Sequence, residues 1–319
     1  MSRTPRRTVE PSNRRRKATP MQRSIAGQRV LITGASSGIG RALALALGAK
    51  GARLAVAART ESSLHSLAKE ITAAGGPAPV VLVTDLSVPG NAEVLADRAL
   101  EHLGGVDILI NNAGVGCFGF QWNVGDRDEA REVYETNFWS PLALVRAIVP
   151  QMRARGTGLV INVSSLMQLR TWPGLGYYAS SKSALAAMTE TLRLELMGTR
   201  IGVMELLPGP VDTQFLSEAA HSPGARHILR NLPIGNTDKL AVAAVRAIEQ
   251  GKARLVYPRR LVAALYLPML VRLKAARAVR GAGADIDADD ARVLRSGSTG
   301  DPVARQARAE WAMSHRQAS

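Results

Sequence analysis

Short apolar runs alternate along the chain with longer segments in which apolar residues recur at helical spacing. The apolar runs lie at 29–32, 53–57, 80–83, 108–110, 201–207 and 254–257, and helices are predicted over 41–49, 61–74, 91–103 and 128–155. Strands that are apolar on both faces and separated by helices form parallel sheets covered on both sides. The pattern predicts an α/β fold with a doubly wound parallel sheet of about seven strands.

The first apolar run leads into a glycine-rich turn, residues 33–40 (TGASSGIG), and then into a helix. Glycines permit the tight turn and let the backbone approach a pyrophosphate closely, and the N-terminus of the helix attracts that anion. Glycine-rich turns also occur for conformational reasons alone, but a strand before and a helix after favour a dinucleotide site. The pattern indicates a Rossmann-type fold with its cofactor at this turn.

The residues that end the second strand, Ala58 and Arg59, bear on which dinucleotide binds. Enzymes that prefer NAD carry an acid here for the ribose hydroxyls, whereas an arginine accommodates the 2′-phosphate of NADP. The simpler alternative is that Arg59 is a solvent-exposed loop residue with no role in binding. We predict NADP(H) as the cofactor, with Arg59 contacting its phosphate.

A tyrosine and a lysine four residues apart, Tyr178 and Lys182, lie in a stretch that is predicted to be helical. This spacing puts both side chains on one helix face. The ammonium is expected to lower the pKa of the phenol, so that Tyr178 exchanges protons near neutrality. Such a pair suits carbonyl reduction or alcohol oxidation. Because the pattern often arises by chance, the other motifs of the chain decide whether this pair is catalytic.

Five motifs occur together in this chain: the 33–40 turn, Asp85 with Leu86, residues 111–114 (NNAG), the Tyr178 and Lys182 pair, and residues 208–213 (PGPVDT). The form, order and spacing of these motifs resemble those of the short-chain dehydrogenase/reductase family, and the resemblance covers residues 27–257. The resemblance implies an NADP(H)-dependent oxidoreductase that interconverts a carbonyl and its alcohol by hydride transfer, with a tyrosine as proton donor or acceptor.

The resemblance also assigns the site residues. The serine is Ser165 rather than Ser164, because the family's serine precedes its tyrosine by thirteen positions, and Tyr178 rather than Tyr177 stands four residues before the lysine. The implied catalytic residues are Asn137, Ser165, Tyr178 and Lys182. The implied cofactor-binding residues are Thr33, Gly34, Ser36, Ser37, Gly38, Ile39, Gly40, Arg59, Asp85, Leu86, Asn112, Ala113, Gly114, Tyr178, Lys182, Pro208, Gly209, Val211 and Thr213.

Residues 214–237 carry apolar side chains among glycine and proline, and by resemblance they form a lid over the substrate. Further apolar residues near predicted strand ends are Phe118, Phe120, Trp122, Leu166, Met167 and Trp172. Core packing explains each of them equally well, but together they predict a pocket for a hydrophobic ketone, aldehyde or alcohol. Reduction of a 3-oxoacyl group on a carrier protein is one alternative. A non-catalytic nucleotide-binding protein that acts on lipid or nucleic acid is the other.

Charge is concentrated in two flanks of this chain of 319 residues with a formal net charge of +15. Residues 1–26 hold eight Arg or Lys and one Glu, and residues 252–280 hold eight Arg or Lys and no acid. We expect a disordered basic arm at 1–26, unless Met21 is the true start, followed by a Rossmann-type domain over 27–257. An amphipathic basic helical segment is expected at 258–280, and a polar, largely disordered tail at 281–319.

The apolar stretch within 258–280 is much shorter than the ~20 residues that a spanning helix needs. With its basic rim it suits a membrane interface, but packing on the pocket or on a neighbouring subunit explains it as well. We therefore expect a cytoplasmic protein with optional peripheral membrane contact. By resemblance it is a homo-oligomer, a dimer or tetramer built on the helices at 91–103 and 128–155. Metal ions are not expected, because the histidines and Cys117 lack ligand spacing. Nucleic acid is not expected as a partner either, because residues 27–251 are nearly neutral and the basic residues lie in the flanks.

Overall fold

Seven parallel strands form the centre of the molecule. A computed structural model describes residues 23–121, 128–169, 172–220 and 232–267, together with positions 273 and 277. The strands are β1 (Arg29–Thr33), β2 (Arg53–Ala58), β3 (Val80–Val83), β4 (Ile108–Asn111), β5 (Gly158–Val163), β6 (Ile201–Pro208) and β7 (Arg254–Tyr257). They form one sheet in the order β3-β2-β1-β4-β5-β6-β7, which confirms the predicted fold class.

The order of the strands reverses at β1, which pairs with β2 on one side and β4 on the other. Ile32 lies opposite Val56 in the first pair and opposite Ile110 in the second. Chain connections leave the two neighbouring strand ends in opposite directions at such a point, and a crevice opens outside their carboxyl ends. This crevice is where a ligand site is expected.

Helices cover both faces of the sheet. They are α1 (Gly38–Gly48), α2 (Glu61–Ala73), α3 (Asn91–Leu103), α4 (Glu129–Tyr134), α5 (Ser140–Arg155), α6 (Gly176–Glu195), α7 (Gln214–Ala219) and α8 (Thr237–Glu249). Val30 and Ile32 of β1 point into a core shared with α1, α2 and α8. Leu31, between them, points into a second core shared with α3, α5 and α6. The alternation follows from the two-residue period of a strand.

The helical run predicted over 128–155 contains a π-helical turn, Glu135–Trp139, between α4 and α5. A π turn holds one more residue than an α turn, and such turns are frequent at functional sites. Its residue Asn137 is fully buried at 0 % exposure. The prediction of a helix was right, but this local widening was not foreseen.

The N-terminal boundary of the folded domain lies earlier than predicted. Ile25 is buried at 3 % exposure, and the Arg23 guanidinium donates a hydrogen bond of 2.8 Å to the Gly158 carbonyl. Residues 23–26 therefore pack on the sheet and do not belong to a disordered arm, because an apolar side chain and an arginine both find partners there. Residues 1–22, including Met21, lie outside the described residues.

The chain continues past β7 into a 3₁₀ turn (Arg259–Leu261) and a short helix, α9 (Ala263–Tyr266). Three of its apolar side chains, Leu261, Val262 and Leu265, pack against a small core beneath the sheet edge. Tyr266 is exposed. The rest of the predicted 258–280 segment, apart from positions 273 and 277, and the predicted tail at 281–319 lie outside the described residues. In the described part of the chain, no helix is long and apolar enough to cross a membrane.

Candidate active site

A cavity of about 450 Å³ opens at the carboxyl ends of the strands. One side, here called the turn side, is formed by the 33–40 turn, Arg59 and residues 112–114. The other, here called the apolar side, is formed by Leu166, Met167, Trp172, Leu175 and Phe215. Tyr178 and Lys182 lie on the cavity wall as well. The predicted cofactor and catalytic residues are therefore brought together at one place, at the crevice that the strand order creates.

Glycine geometry shapes the turn side. Gly34 has a positive φ of 65°, which glycine adopts without steric cost. A Cβ on Gly40 would lie 2.2 Å from the Gly34 carbonyl oxygen and 2.4 Å from Nδ2 of Asn112. That amide donates hydrogen bonds to the carbonyls of Thr33 (2.9 Å) and Gly34 (3.1 Å). The turn is thus locked against the loop that follows β4.

Two predicted cofactor residues, Thr33 and Gly40, do not line the cavity. The Thr33 hydroxyl is buried and accepts hydrogen bonds of 3.0 Å from the backbone N–H groups of Asn112 and Ala113. Gly40 is packed against Gly34. Both therefore shape the turn from behind. The other predicted cofactor residues all line the cavity, namely Gly34, Ser36, Ser37, Gly38, Ile39, Arg59, Asp85, Leu86, Asn112, Ala113, Gly114, Tyr178, Lys182, Pro208, Gly209, Val211 and Thr213.

Arg59 follows the last residue of β2 and is exposed at the edge of the turn side. Among the described residues, no carboxylate forms an ion pair with its guanidinium, whereas Arg41 nearby is paired with Glu70. Ala58, which precedes Arg59, offers no acceptor for ribose hydroxyls. Asp85 lines the cavity and is fixed by Ser87, whose N–H and hydroxyl donate to its carboxylate at 2.9 and 2.8 Å. These residues fit a dinucleotide that carries a 2′-phosphate.

Tyr178 lies on the first turns of α6 and is nearly buried, at 8 % exposure. The Ser165 hydroxyl lies close enough to the Tyr178 phenol to influence its ionisation. Ser165 also accepts a hydrogen bond of 3.1 Å from the N–H of Met167, which fixes the direction of its hydroxyl. Burial raises the pKa of Tyr178 to about 12, and the nearby Ser165 hydroxyl opposes that rise.

Lys182 is buried one turn further along α6. Its Nζ donates a hydrogen bond of 3.0 Å to the Val163 carbonyl and lies 6.0 Å from the centre of the Tyr178 ring. Burial lowers the pKa of Lys182 to about 8. The expectation of a lowered pKa for Tyr178 is wrong for this geometry, because desolvation of the phenolate outweighs the interaction with Ser165.

Asn137 braces the site from beneath the cavity wall. Its side chain accepts from the N–H of Val115 and donates to the carbonyl of the same residue, both at 2.9 Å. It also donates to the Ser181 hydroxyl at 2.9 Å, which in turn donates to the Tyr178 carbonyl at 2.9 Å. The π turn therefore connects the loop after β4 to the helix that carries Tyr178. Asn137 itself does not line the cavity.

Aromatic rings dominate the apolar side. The ring of Phe215 lies 4.8 Å from that of Tyr178 and 5.6 Å from that of Phe118, measured between centroids. Trp172 and Leu175 are buried in the same cluster. Of the residues predicted to line a pocket, Leu166, Met167 and Trp172 do so, whereas Phe118 and Phe120 stand behind the wall. Trp122 and the lid residues 221–231 lie outside the described residues.

Among the contributors to the site that the sequence did not indicate are Thr136, Leu175 and Glu205. Thr136 and Leu175 line the cavity, and each stands within three residues of a predicted catalytic residue, so helical spacing could have indicated them. Glu205 is buried at 1 % exposure and accepts a hydrogen bond from Ser164. An acid inside an apolar strand is itself a signal, because a buried carboxylate needs partners.

Comparison with known proteins agrees with this arrangement. The family model described as short chain dehydrogenase matches residues 28–223. The 11-beta-hydroxysteroid dehydrogenase A of Sesamum indicum is 32% identical over 240 residues, which cover 74% of this chain and 68% of the relative.

Two solved structures show the same fold. A short chain dehydrogenase/reductase of Burkholderia phymatum in complex with NAD has a TM-score of 0.68 and 28% identity, covering 78% of this chain and 96% of its own. A short-chain dehydrogenase of Sphingobium yanoikuyae in complex with NADPH has a TM-score of 0.67 and 27% identity, covering 81% and 96%.

Proposed function

Because this chain belongs to the short-chain dehydrogenase family, we propose that it interconverts an apolar ketone or aldehyde and its alcohol with NADP(H). That it is an NAD(P)-dependent oxidoreductase acting on alcohol or carbonyl groups follows from the family. The observation that carries the finer proposal is that the hydroxyls of Ser165 and Tyr178 lie close together on the cavity wall, between a turn side that fits a dinucleotide and an apolar side.

The two hydroxyls give the chemistry its direction. NADPH supplies the hydride when it is bound. A carbonyl oxygen placed against Ser165 and Tyr178 accepts hydrogen bonds from both, and Tyr178 donates its proton to that oxygen as negative charge develops there. Ser165 stabilises this charge, a role for which one fixed donor is worth about 3 kcal/mol. Because burial raises the pKa of Tyr178 to about 12, the phenol is protonated at neutral pH, which is the form that reduction requires.

Lys182 and Asn137 support this step from different sides. Lys182 contributes positive charge and a hydrogen-bond donor beside Gly114, where a Cβ would lie 3.2 Å from Nζ. We assign to it the binding of ribose hydroxyls and the stabilisation of the phenolate that remains after proton transfer. Asn137 is assigned a bracing role through Ser181, since its three hydrogen bonds hold α6 against the loop after β4.

The preference for NADP(H) rests on Arg59. Its guanidinium is exposed at the cavity edge and has no ion-pair partner among the described residues, so it is available for a 2′-phosphate. The neighbour from Sphingobium yanoikuyae holds NADPH and the one from Burkholderia phymatum holds NAD, so the family accommodates both. Arg59 after the uncharged Ala58 favours the phosphorylated form.

The substrate class rests on the apolar side of the cavity. Phe215, Trp172 and Leu175 present rings and a branched side chain close to Tyr178, and apolar walls bind apolar substrates through the area they remove from water. The relative from Sesamum indicum is named a hydroxysteroid dehydrogenase, which supports a large apolar alcohol or ketone.

The proposal is tested by following NADPH oxidation across a panel of medium-chain aldehydes, aliphatic ketones and steroid ketones. We expect turnover with apolar members and weaker turnover with small polar carbonyls. Silence across the whole panel, from protein that binds NADPH, would overturn the assignment of substrate class.

The basic flanks favour one second candidate, a 3-oxoacyl group carried on an acidic protein. Residues 1–26 hold eight Arg or Lys and one Glu, and such an arm attracts an acidic partner. Deletion of residues 1–22, which leaves the packed residues 23–26 in place, should then lower activity on carrier-bound substrate and spare activity on the free thioester. Equal effects on both substrates would reject this candidate.

We also propose peripheral contact of the 258–280 segment with anionic membrane. In its described part, Arg259 and Arg260 are exposed beside Tyr266 and Leu267, and basic groups around exposed apolar ones suit a lipid interface. Flotation with phosphatidylserine vesicles tests this: co-flotation that a charge-reversed Arg259 and Arg260 double variant loses is expected, and equal flotation of the two proteins contradicts it.

A homo-oligomer built on α3 and α5 remains our proposal for the assembly. Val94 on α3 and Trp139 beside α5 are half exposed or more, and an interface built on these helices would cover both side chains. Light scattering of the purified chain measures the mass directly. A monomer at micromolar concentration would contradict the proposal.

A further inference from the structure

A row of polar side chains crosses four neighbouring strands in register. Asn111 of β4 pairs with Asn162 of β5, which pairs with Glu205 of β6, which pairs with Arg254 of β7. The first three are buried, at 2, 0 and 1 % exposure. Polar groups in the middle of an apolar sheet cost free energy unless they are hydrogen-bonded. Glu205 is the one acid in the row, and its hydrogen bonds show which groups it keeps in place.

Each carboxylate oxygen of Glu205 has defined partners. Oε1 accepts hydrogen bonds from the Ser164 hydroxyl at 2.9 Å and from Nε2 of Gln168 at 3.0 Å. Oε2 accepts from Nε of Arg254 at 2.9 Å. Arg254 also contacts Glu190 of α6 at 3.3 Å. The arginine compensates the buried charge on one side, which leaves the other oxygen for the two neutral donors.

Those two donors flank Ser165. Ser164 precedes it, and Gln168 lies in the short 3₁₀ turn that follows it, Leu166–Leu169. One oxygen of Glu205 therefore ties together both ends of a five-residue loop whose second residue is Ser165. Inside this loop the Ser165 hydroxyl accepts from Met167 and lies close to the Tyr178 phenol. Since β6 is paired on both sides, with β5 and with β7, the carboxylate connects this loop to the hydrogen-bonded sheet.

We propose that Glu205 is a positioning residue that fixes the Ser165 hydroxyl against Tyr178 through Ser164 and Gln168. The inference rests on the proposed function for its effect on turnover, but its structural content does not depend on it. Misplacement of a reacting group by about 1 Å lowers a rate by about 100-fold. Loss of Glu205 should therefore slow proton and hydride transfer while the turn side still binds NADPH.

Three variants separate positioning from general stability. Glu205→Leu removes both hydrogen bonds to the loop and keeps the site apolar and filled, and the freed Arg254 side chain is 43% exposed and can be hydrated. Glu205→Gln keeps an acceptor and a donor within reach of Ser164 and Gln168 and serves as the conservative rescue. Asp107→Asn is the control, because Asp107 is also paired with arginines, Arg29 and Arg155, but precedes β4 at the amino end of the sheet.

The kinetic measurement is turnover with NADPH that is deuterated at both C4 positions, compared with unlabelled NADPH. We expect Glu205→Leu to lose about 10- to 100-fold in kcat with KM and NADPH affinity within about twofold of wild type, and with a larger isotope effect because hydride transfer becomes slower. Glu205→Gln should recover most of the loss. Asp107→Asn should lower the melting temperature and leave kcat unchanged. A folded Glu205→Leu protein with wild-type kcat overturns the proposal. The proposal also fails if the fraction of protein that still binds NADPH falls as much as kcat does, because the loss of kcat then reflects misfolded protein.

Hydrogen exchange gives a readout that needs no turnover. The N–H groups of Met167 and Gln168 are bonded to the side chain and the carbonyl of Ser165, so a loosened loop exposes them. We expect faster exchange at both positions in Glu205→Leu and unchanged exchange there in Asp107→Asn. If the wild-type protein proves inactive on the panel but this difference appears, the positioning role holds and the proposed function fails. Unchanged exchange in Glu205→Leu overturns the positioning role itself.

Discussion

The turn side and the apolar side of the cavity are built in different ways. Backbone makes the turn side: Gly34 and Gly40 allow two loops to touch, and Asn112 locks them with hydrogen bonds to carbonyls. Side chains from separate segments make the apolar side, where Phe215 of α7 meets Tyr178 of α6. A site made from backbone tolerates few residue types, whereas a wall of apolar side chains tolerates many. The turn side is therefore suited to the dinucleotide that members of the family share, and the apolar side to the substrate in which they differ.

The largest expected effect comes from the residue that lies between the two sides. Tyr178→Phe removes the proton donor and keeps the ring that Phe215 packs against, so NADPH affinity should be unchanged while kcat falls about 10³-fold. Stopped-flow turnover and fluorescence titration with NADPH measure the two quantities. Tyr177→Phe is the control, because Tyr177 does not line the cavity. A Tyr178→Phe protein with undiminished kcat would show that Tyr178 is not the proton donor between the two sides.

Lys182 should impose a pH dependence on stability. Its pKa is lowered by burial from 10.5 to about 8, so between these values the unfolded chain holds a proton that the folded protein lacks. The free energy of unfolding should therefore rise with pH across this window, by on the order of 3 kcal/mol in total. Lys182→Met should lose that rise. Urea titrations of both proteins from pH 7 to 10 check the prediction, and parallel curves would contradict it.

Gly40→Ala tests whether backbone contact builds the turn side. The added Cβ would lie 2.2 Å from the Gly34 carbonyl oxygen, so the two loops must separate at a cost of about 3 kcal/mol. We expect weaker NADPH binding and a lower melting temperature. Gly202→Ala is the matched control, since a Cβ there comes closest to the Leu159 side chain at 3.0 Å. If the two substitutions weakened NADPH binding equally, close backbone contact would not be what builds the turn side.

Arg59→Ala tests the choice of dinucleotide. A charge-assisted hydrogen bond to phosphate is worth about 2 kcal/mol, so the dissociation constant for NADPH should rise about 30-fold and that for NADH should hardly change. Arg53→Ala serves as the control, because Arg53 begins the same strand at its other end and is exposed. Equal weakening of NADPH and NADH would mean that Arg59 does not recognise the 2′-phosphate.

Phe215→Leu should have the smallest effect, and one confined to the apolar side. Replacing a ring within an aromatic pair removes about 1 kcal/mol of interaction, so KM for apolar ketones should rise about fivefold. The dissociation constant for NADPH, measured on the same protein, is the internal control. An equal change in both values would show that the two sides are not independent.

The sequence predicted residues on both sides of the cavity, but it predicted how the turn side is built and not how the apolar side is assembled. Residues 33–40 and Arg59 act through local conformation and strand position, which neighbours in the sequence determine. Phe215 contacts Tyr178 only because the fold brings α7 beside the start of α6, and the hydrogen bond from Ser164 to Glu205 depends on the register of β5 with β6. The raised pKa of Tyr178 depends on burial, which the four-residue spacing to Lys182 does not reveal.

The most direct test of the central claim is transfer of label from NADPH that is deuterated at both C4 positions to an apolar ketone. The proposed chemistry predicts one deuterium on the carbinol carbon of every product molecule from the wild-type protein, and about a thousandfold less labelled alcohol from Tyr178→Phe in the same time. Mass spectrometry of the product alcohol measures both the label and the yield. Unlabelled alcohol from the wild-type protein, or equal yields of labelled alcohol from the two proteins, would contradict hydride transfer assisted by Tyr178.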